Sequence, residues 1–253
     1  MPTFTEAQIL AWLTPILWPF LRVLALFTTA PVLSLRSIPV RVKLLLALLV
    51  AVSARAGLPP PPDVSLDSAA ALGMAAQQVI VGLTIGFAAR VVFAGVELAG
   101  ELIGLQMGLS YATFFDPGSN SSVAATTRFF STMASLLFIV MNGHLLMTFA
   151  VIRSFDAFPI DERPLAFIST LQPQAWGSEL FQLGVWIALP IVSMILLINF
   201  MLGIVSRVAS QMQIFAIGFP ITLATGLVGM AMTLPIMQAP FTVALERMLA
   251  LFQ

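Results

Sequence analysis

Residues 180–205, LFQLGVWIALPIVSMILLINFMLGIV, contain no Asp, Glu, Lys or Arg. A helix crosses a bilayer with about 20 consecutive apolar residues, so this stretch alone points to a membrane span. Five more stretches are predominantly apolar: Ile9–Ala30, Val42–Ala56, Ala69–Phe93, Phe129–Ile152 and Phe215–Met237. The whole chain agrees with them. Of its 253 residues, 59% are hydrophobic and 9% charged, with a mean hydropathy of +1.02. Soluble domains carry about 25% charged residues, so the polar surface that water requires is missing. The expected fold is an all-α membrane protein of about six long, kinked hydrophobic helices.

Composition also excludes several chemistries. There is no Cys, hence no disulfide, thiolate metal site or thiol nucleophile, and His144 is the only His. A His-rich metal cluster is therefore ruled out within one copy, and no cofactor is expected. The formal net charge of +0 argues against nucleic acid as a partner. No Walker-type phosphate loop occurs. Ser110 and His144 are the pair that a rhomboid-type intramembrane protease would need, yet Tyr111 stands where that motif has Gly. A small-solute secondary transporter is the other rival, suggested by charges within apolar segments, but paired broken helices are not evident.

The connectors set an expected orientation. Arg36, Arg41 and Lys43 share the first connector with no acid, which places it in the cytoplasm. Alternation puts Pro59–Asp67, with its run of four prolines, and Ile160–Glu179 outside, along with both termini. Residues Met1–Gln8 hold Glu6 and no basic residue, so the first apolar run is read as a retained span rather than a cleaved signal. Arg22 lies inside that run. A central Arg costs about 2.5–3.5 kcal/mol on insertion scales, and each neighbouring Leu, Ile, Phe or Val returns roughly 0.3–0.6. Insertion survives, with Arg22 expected to face protein.

Val96–Arg128 is the most informative segment. Glu97 and Glu101 share a helical face. They suit either a proton relay or structural pairing with Arg90, Arg128 or a neighbouring subunit. Gly100, Gly104 and Gly108 recur every fourth residue, a smooth stripe that admits another backbone. Then Leu109-Ser110-Tyr111-Ala112-Thr113-Phe114-Phe115 leads into Asp116-Pro117-Gly118-Ser119-Asn120-Ser121-Ser122, a turn signal followed by a polar run. An aromatic-tipped loop between membrane helices is tolerated at depth only when it is buried in protein or lines a cavity. It is either a re-entrant constriction bearing Phe114 and Phe115 or an interhelical loop that tucks its aromatics into the bundle. His144, in Asn142-Gly143-His144, reads as an interhelical contact or a proton switch. Asn199, Gly203 and Arg207 form a polar stripe, continued by Gln211, that packs on protein or water. Gly218, Pro220, Gly226 and Gly229 loosen the last stretch.

Five separated stretches resemble one family in order. The run from Gly100 through Leu105-Gln106-Met107-Gly108-Leu109-Ser110-Tyr111-Ala112-Thr113-Phe114-Phe115-Asp116-Pro117-Gly118 is similar to the FliR family of flagellar type III export proteins. So are Trp18-Pro19-Phe20-Leu21-Arg22 with Ala30-Pro31, Ile38-Pro39-Val40-Arg41-Val42-Lys43-Leu44, Asn142-Gly143-His144-Leu145, and Ile214-Phe215-Ala216-Ile217-Gly218-Phe219-Pro220. The injectisome has homologous proteins, but the Gly108–Gly118 stretch looks more flagellar. One departure is Ser210 in Arg207-Val208-Ala209-Ser210-Gln211, where the family commonly has Pro.

The resemblance implies a non-enzymatic subunit of the export gate, assembled with several FliP and FliQ subunits into a helical, closed pore. FlhB and FlhA are the implied further partners, unfolded flagellar proteins the cargo, and the bacterial inner membrane at the flagellar basal body the location. Residues 1–179 would be FliP-like and 180–253 a FliQ-like hairpin, with many helices bent and raised toward the periplasm. The implied pore plug covers residues 108–122, with Gly108, Ser110, Tyr111, Phe114, Phe115, Asp116, Pro117 and Gly118 at its heart. Arg22, Glu97, Glu101, His144, Asn199 and Arg207 are the candidate contacts between helices or subunits.

Overall fold

The computed structural model describes residues 6–58, 62, 64–65, 67–109, 125–160, 173–208 and 214–252. Among these there is no strand. The α-helices are α1 (Glu6–Thr29), α2 (Val40–Ala54), α3 (Ala69–Gln106), α4 (Ala125–Val140), α5 (Gly143–Ala157), α6 (Pro173–Val208) and α7 (Ile214–Ala250), with a 3-10 turn at Arg55–Gly57. The chain is a helical membrane protein. Stretches of α1, α3, α6 and α7 are long and apolar enough to cross a bilayer, and α4 with α5 makes a fifth span if the bent pair is counted as one.

Two differences from the sequence reading have physical causes. The fourth apolar stretch is two helices bent by 68°, because Asn142 adopts the left-handed φ of 56°. Asn is one of the few side chains that accepts this conformation. The third stretch does not stop at Phe93, for α3 runs on through Glu97 and Glu101 to Gln106. Charge thins the hydropathy there without breaking the helix. α2, at 15 residues, is about 22 Å long and falls short of a hydrocarbon core of about 30 Å. By contrast α3, α6 and α7 have 38, 36 and 37 residues. Each is about 55 Å long, well beyond one hydrocarbon layer.

The chain divides into two compact units. The first comprises residues 1–90, 142–176 and 245–253, and the second residues 91–141 and 177–244. In the first unit α2 packs on α1, burying Ala47, Ala51 and Ala54 while Leu45, Leu48, Leu49 and Val52 stay exposed. α3 crosses α1 at Gly82 and Gly86. A Cβ added at Gly82 would strike the Arg22 carbonyl, and one at Gly86 the Thr29 hydroxyl. Trp18, Ala71 and Met74 form a core with Leu21, Val64, Ala75 and Ile160 around it. Phe252 joins Phe158 and Trp176 with ring centroids 6.3 and 6.4 Å apart.

In the second unit α3 is again the shared partner. Gly95 and Gly184 let α3 and α6 meet closely, since a Cβ on Gly184 would lie 2.9 Å from the Gly95 carbonyl oxygen. Gly229 sets α7 against Ile191 of α6. Phe93 packs edge-on to Phe138 at 5.7 Å and Phe241 at 5.5 Å, tying α3, α4 and α7 into one core.

Candidate functional site

The C-terminal end of α3 is built to stop. Gly108 takes a φ of 81°, its N–H donates to the Leu105 carbonyl at 3.1 Å, and the Leu109 N–H donates to the Gly104 carbonyl at 3.1 Å. This pair of bonds is a Schellman cap, which satisfies the last carbonyls and turns the chain out of the helix at a glycine. On the far side of the following segment, α4 returns to α3. A Cβ on Gly100 would sit 2.8 Å from Thr127 Cα, so α4 backs onto α3 where only glycine fits. Ser131 of α4 donates to the Glu97 carboxylate at 2.8 Å. The segment between is thus bracketed by two fixed ends on the same pair of helices. Ser110, Tyr111, Phe114, Phe115, Asp116, Pro117 and Gly118 lie outside the described residues.

The acidic pair divides. Glu97 is half-buried and meets the Ser131 hydroxyl, whereas Glu101 is exposed. Arg90 and Arg128 are exposed as well. His144 is the second residue of α5, just past the Asn142 bend, and its side chain is exposed. Asn199, Gly203 and Arg207 lie on the exposed side of α6, and a Cβ on Gly203 would meet nothing within 4 Å. Ser210 and Gln211 are outside the described residues.

Arg22 is different. It is completely buried, and among the described residues its guanidinium fork donates to neutral oxygen acceptors. Nε donates to Gln78 Oε1 at 2.8 Å, one terminal nitrogen to Ser154 Oγ at 2.9 Å, and the other to the Phe158 carbonyl at 2.9 Å. The Phe155 ring lies 3.6 Å from Cζ, a cation–π contact strengthened by desolvation. Gln78 in turn donates to Gln77 Oε1 at 3.0 Å, and Gln77 donates to the Pro159 carbonyl at 3.1 Å. Three helices are fastened together in this way, with the C-terminal turn of α5 held at its open carbonyls. Residue-by-residue reading did not single out Gln77, Gln78 or Ser154. Two adjacent amides within an otherwise apolar stretch were the available signal.

Comparison with known proteins fits this architecture. The family pattern described as "Bacterial export proteins, family 1" matches residues 13–248. The chain is 44% identical over 237 residues to the flagellar biosynthetic protein FliR of Escherichia coli (strain K12), covering 94% of this chain and 90% of that one. It is 39% identical over 236 residues to FliR of Pectobacterium carotovorum subsp. carotovorum, at 93% and 90% coverage. FliR of Bacillus subtilis (strain 168) is 29% identical over 241 residues, at 90% and 91% coverage. Matched along nearly its whole length by the family pattern and by these relatives, the chain belongs to the FliR family of bacterial export proteins.

Proposed function

We propose that the chain acts in flagellar protein export as a non-enzymatic subunit of the export gate, and that residues 108–122 plug its closed pore. Family membership supports the export role. The observation that carries the plug reading is the bracketed segment. A Schellman cap turns the chain out of α3 at Gly108, and α4 closes back onto Gly100. What runs between them is aromatic at Tyr111, Phe114 and Phe115 and turn-forming at Asp116-Pro117-Gly118. Apolar side chains in a narrow lumen block ions by dewetting, and a stopper of this kind yields to an arriving unfolded chain.

The gate in this reading combines the chain with FliP and FliQ subunits in the bacterial inner membrane, with FlhB and FlhA alongside. Residues 1–179 serve as the FliP-like part and 180–253 as the FliQ-like hairpin. Helices of about 55 Å support an assembly that rises beyond the hydrocarbon layer toward the periplasm. The exposed stripe of Asn199, Gly203 and Arg207 and the exposed Glu101 and His144 suit contacts with other subunits. Deleting Tyr111–Ser119 tests the plug. In the assembled complex, reconstituted in planar bilayers, the deletion should raise resting ion conductance by an order of magnitude or more. Unchanged conductance in a complex that still assembles would reject the plug while leaving the export role standing.

A further inference from the structure

Among the described residues, Val32 and Asn142 are the non-glycine residues with a positive φ, and Val32, at 64°, is the β-branched one. For a β-branched residue this is a true outlier, because the Cβ substituents crowd the backbone. A hydrogen bond holds it there, with the Leu33 N–H donating to the Pro31 carbonyl at 2.7 Å. This is the positive-φ form of the γ-turn, rare and strained. The next bond, from the Ser34 N–H to the Ala30 carbonyl at 2.9 Å, anchors the turn to the end of α1.

What the turn connects makes the strain informative. It joins α1 to α2, and α2 rests on α1 with a face whose buried residues are Ala47, Ala51 and Ala54. Each buried side chain of this seat is a single methyl group, which carries little apolar surface. On the side of α2 opposite that seat, Leu45, Leu49 and Val52 are exposed. We propose that Pro31–Val32–Leu33 is a sprung hinge on which α2 swings between its seat on α1 and a second position in which Val32 has a negative φ. Seating α2 keeps the turn strained, and releasing α2 relaxes it. Changing the sign of one φ re-aims everything that follows, so a single residue suffices to move the whole helix. The inference goes beyond the export reading and does not depend on it.

The chain has no Cys, so two introduced cysteines carry the only spin labels on it. Leu49→Cys on α2 and Leu72→Cys on α3 are both at exposed positions. Distances between them are measured by pulsed electron resonance on the full chain in lipid bilayers, together with any subunits that co-purify. Two distance populations are expected with Val32 or with Val32→Ile. Val32→Gly removes the strain and should reduce the second population on the order of tenfold. The melting temperature should rise in the order Val32, Val32→Ala, Val32→Gly, with strain relief outweighing the extra chain entropy of glycine. A single distance that Val32→Gly leaves unchanged, or a lower melting temperature for Val32→Gly, would overturn the hinge.

Discussion

Arg22→Ala is expected to destabilise the first unit by about 4 kcal/mol, the scale for losing several hydrogen bonds to a buried charge. The loss has three components. Gln78 Oε1, Ser154 Oγ and the Phe158 carbonyl give up a donor, the face of Phe155 gives up a cation, and a cavity opens between α1, α3 and α5. Arg22→Lys should recover less than half of it. Lysine brings a compact charge on a flexible stem, which cannot reach three diverging acceptors or stack on a ring. The three acceptors among the described residues are neutral, so the site requires the geometry of the fork. Denaturation midpoints of the purified variants check this, and Arg22→Lys at wild-type stability would contradict it.

Gly82→Val and Gly86→Val should each cost about 3 kcal/mol or more, at or above the top of the usual range for overpacking. In both cases the new side chain would enter α1, meeting the Arg22 carbonyl at position 82 and Thr29 at position 86. A flexible side chain can step aside, but a helix carbonyl cannot move without its neighbours. Gly57→Ala is the control, with nothing within 4 Å of the added atom, and should stay within about 0.5 kcal/mol. The pair Gly82→Val and Arg22→Ala should be strongly non-additive, because both disturb the same crossing. The readout is again the denaturation midpoint.

Much of the fold was legible because hydropathy reports burial in lipid as directly as burial in a core. Each apolar stretch corresponds to helix, and Gly108, one member of a glycine repeat, proved to be the residue on which α3 ends. The apolar stretch Ala69–Phe93 is shorter than α3, because hydropathy falls at Glu97 and Glu101 although the helix continues through both to Gln106, with the Ser131 hydroxyl meeting Glu97. The Asn142 bend was hidden inside a continuous apolar run, since left-handed Asn leaves no trace in hydropathy. Arg22 was noticed, but its partners were not. They lie 56 and 132 residues away along the chain, and only tertiary packing relates them. Val32 was beyond any local rule, for β-branched residues argue against the conformation it adopts.

In the proposed function, the segment bearing Tyr111, Phe114 and Phe115 stands in the path of exported protein. A photo-crosslinking amino acid at Phe115, in cells where a flagellar export substrate has been stalled in transit, addresses it most directly. Covalent adducts between position 115 and the stalled substrate are expected. Adducts to lipid alone, with none to the substrate, would contradict it.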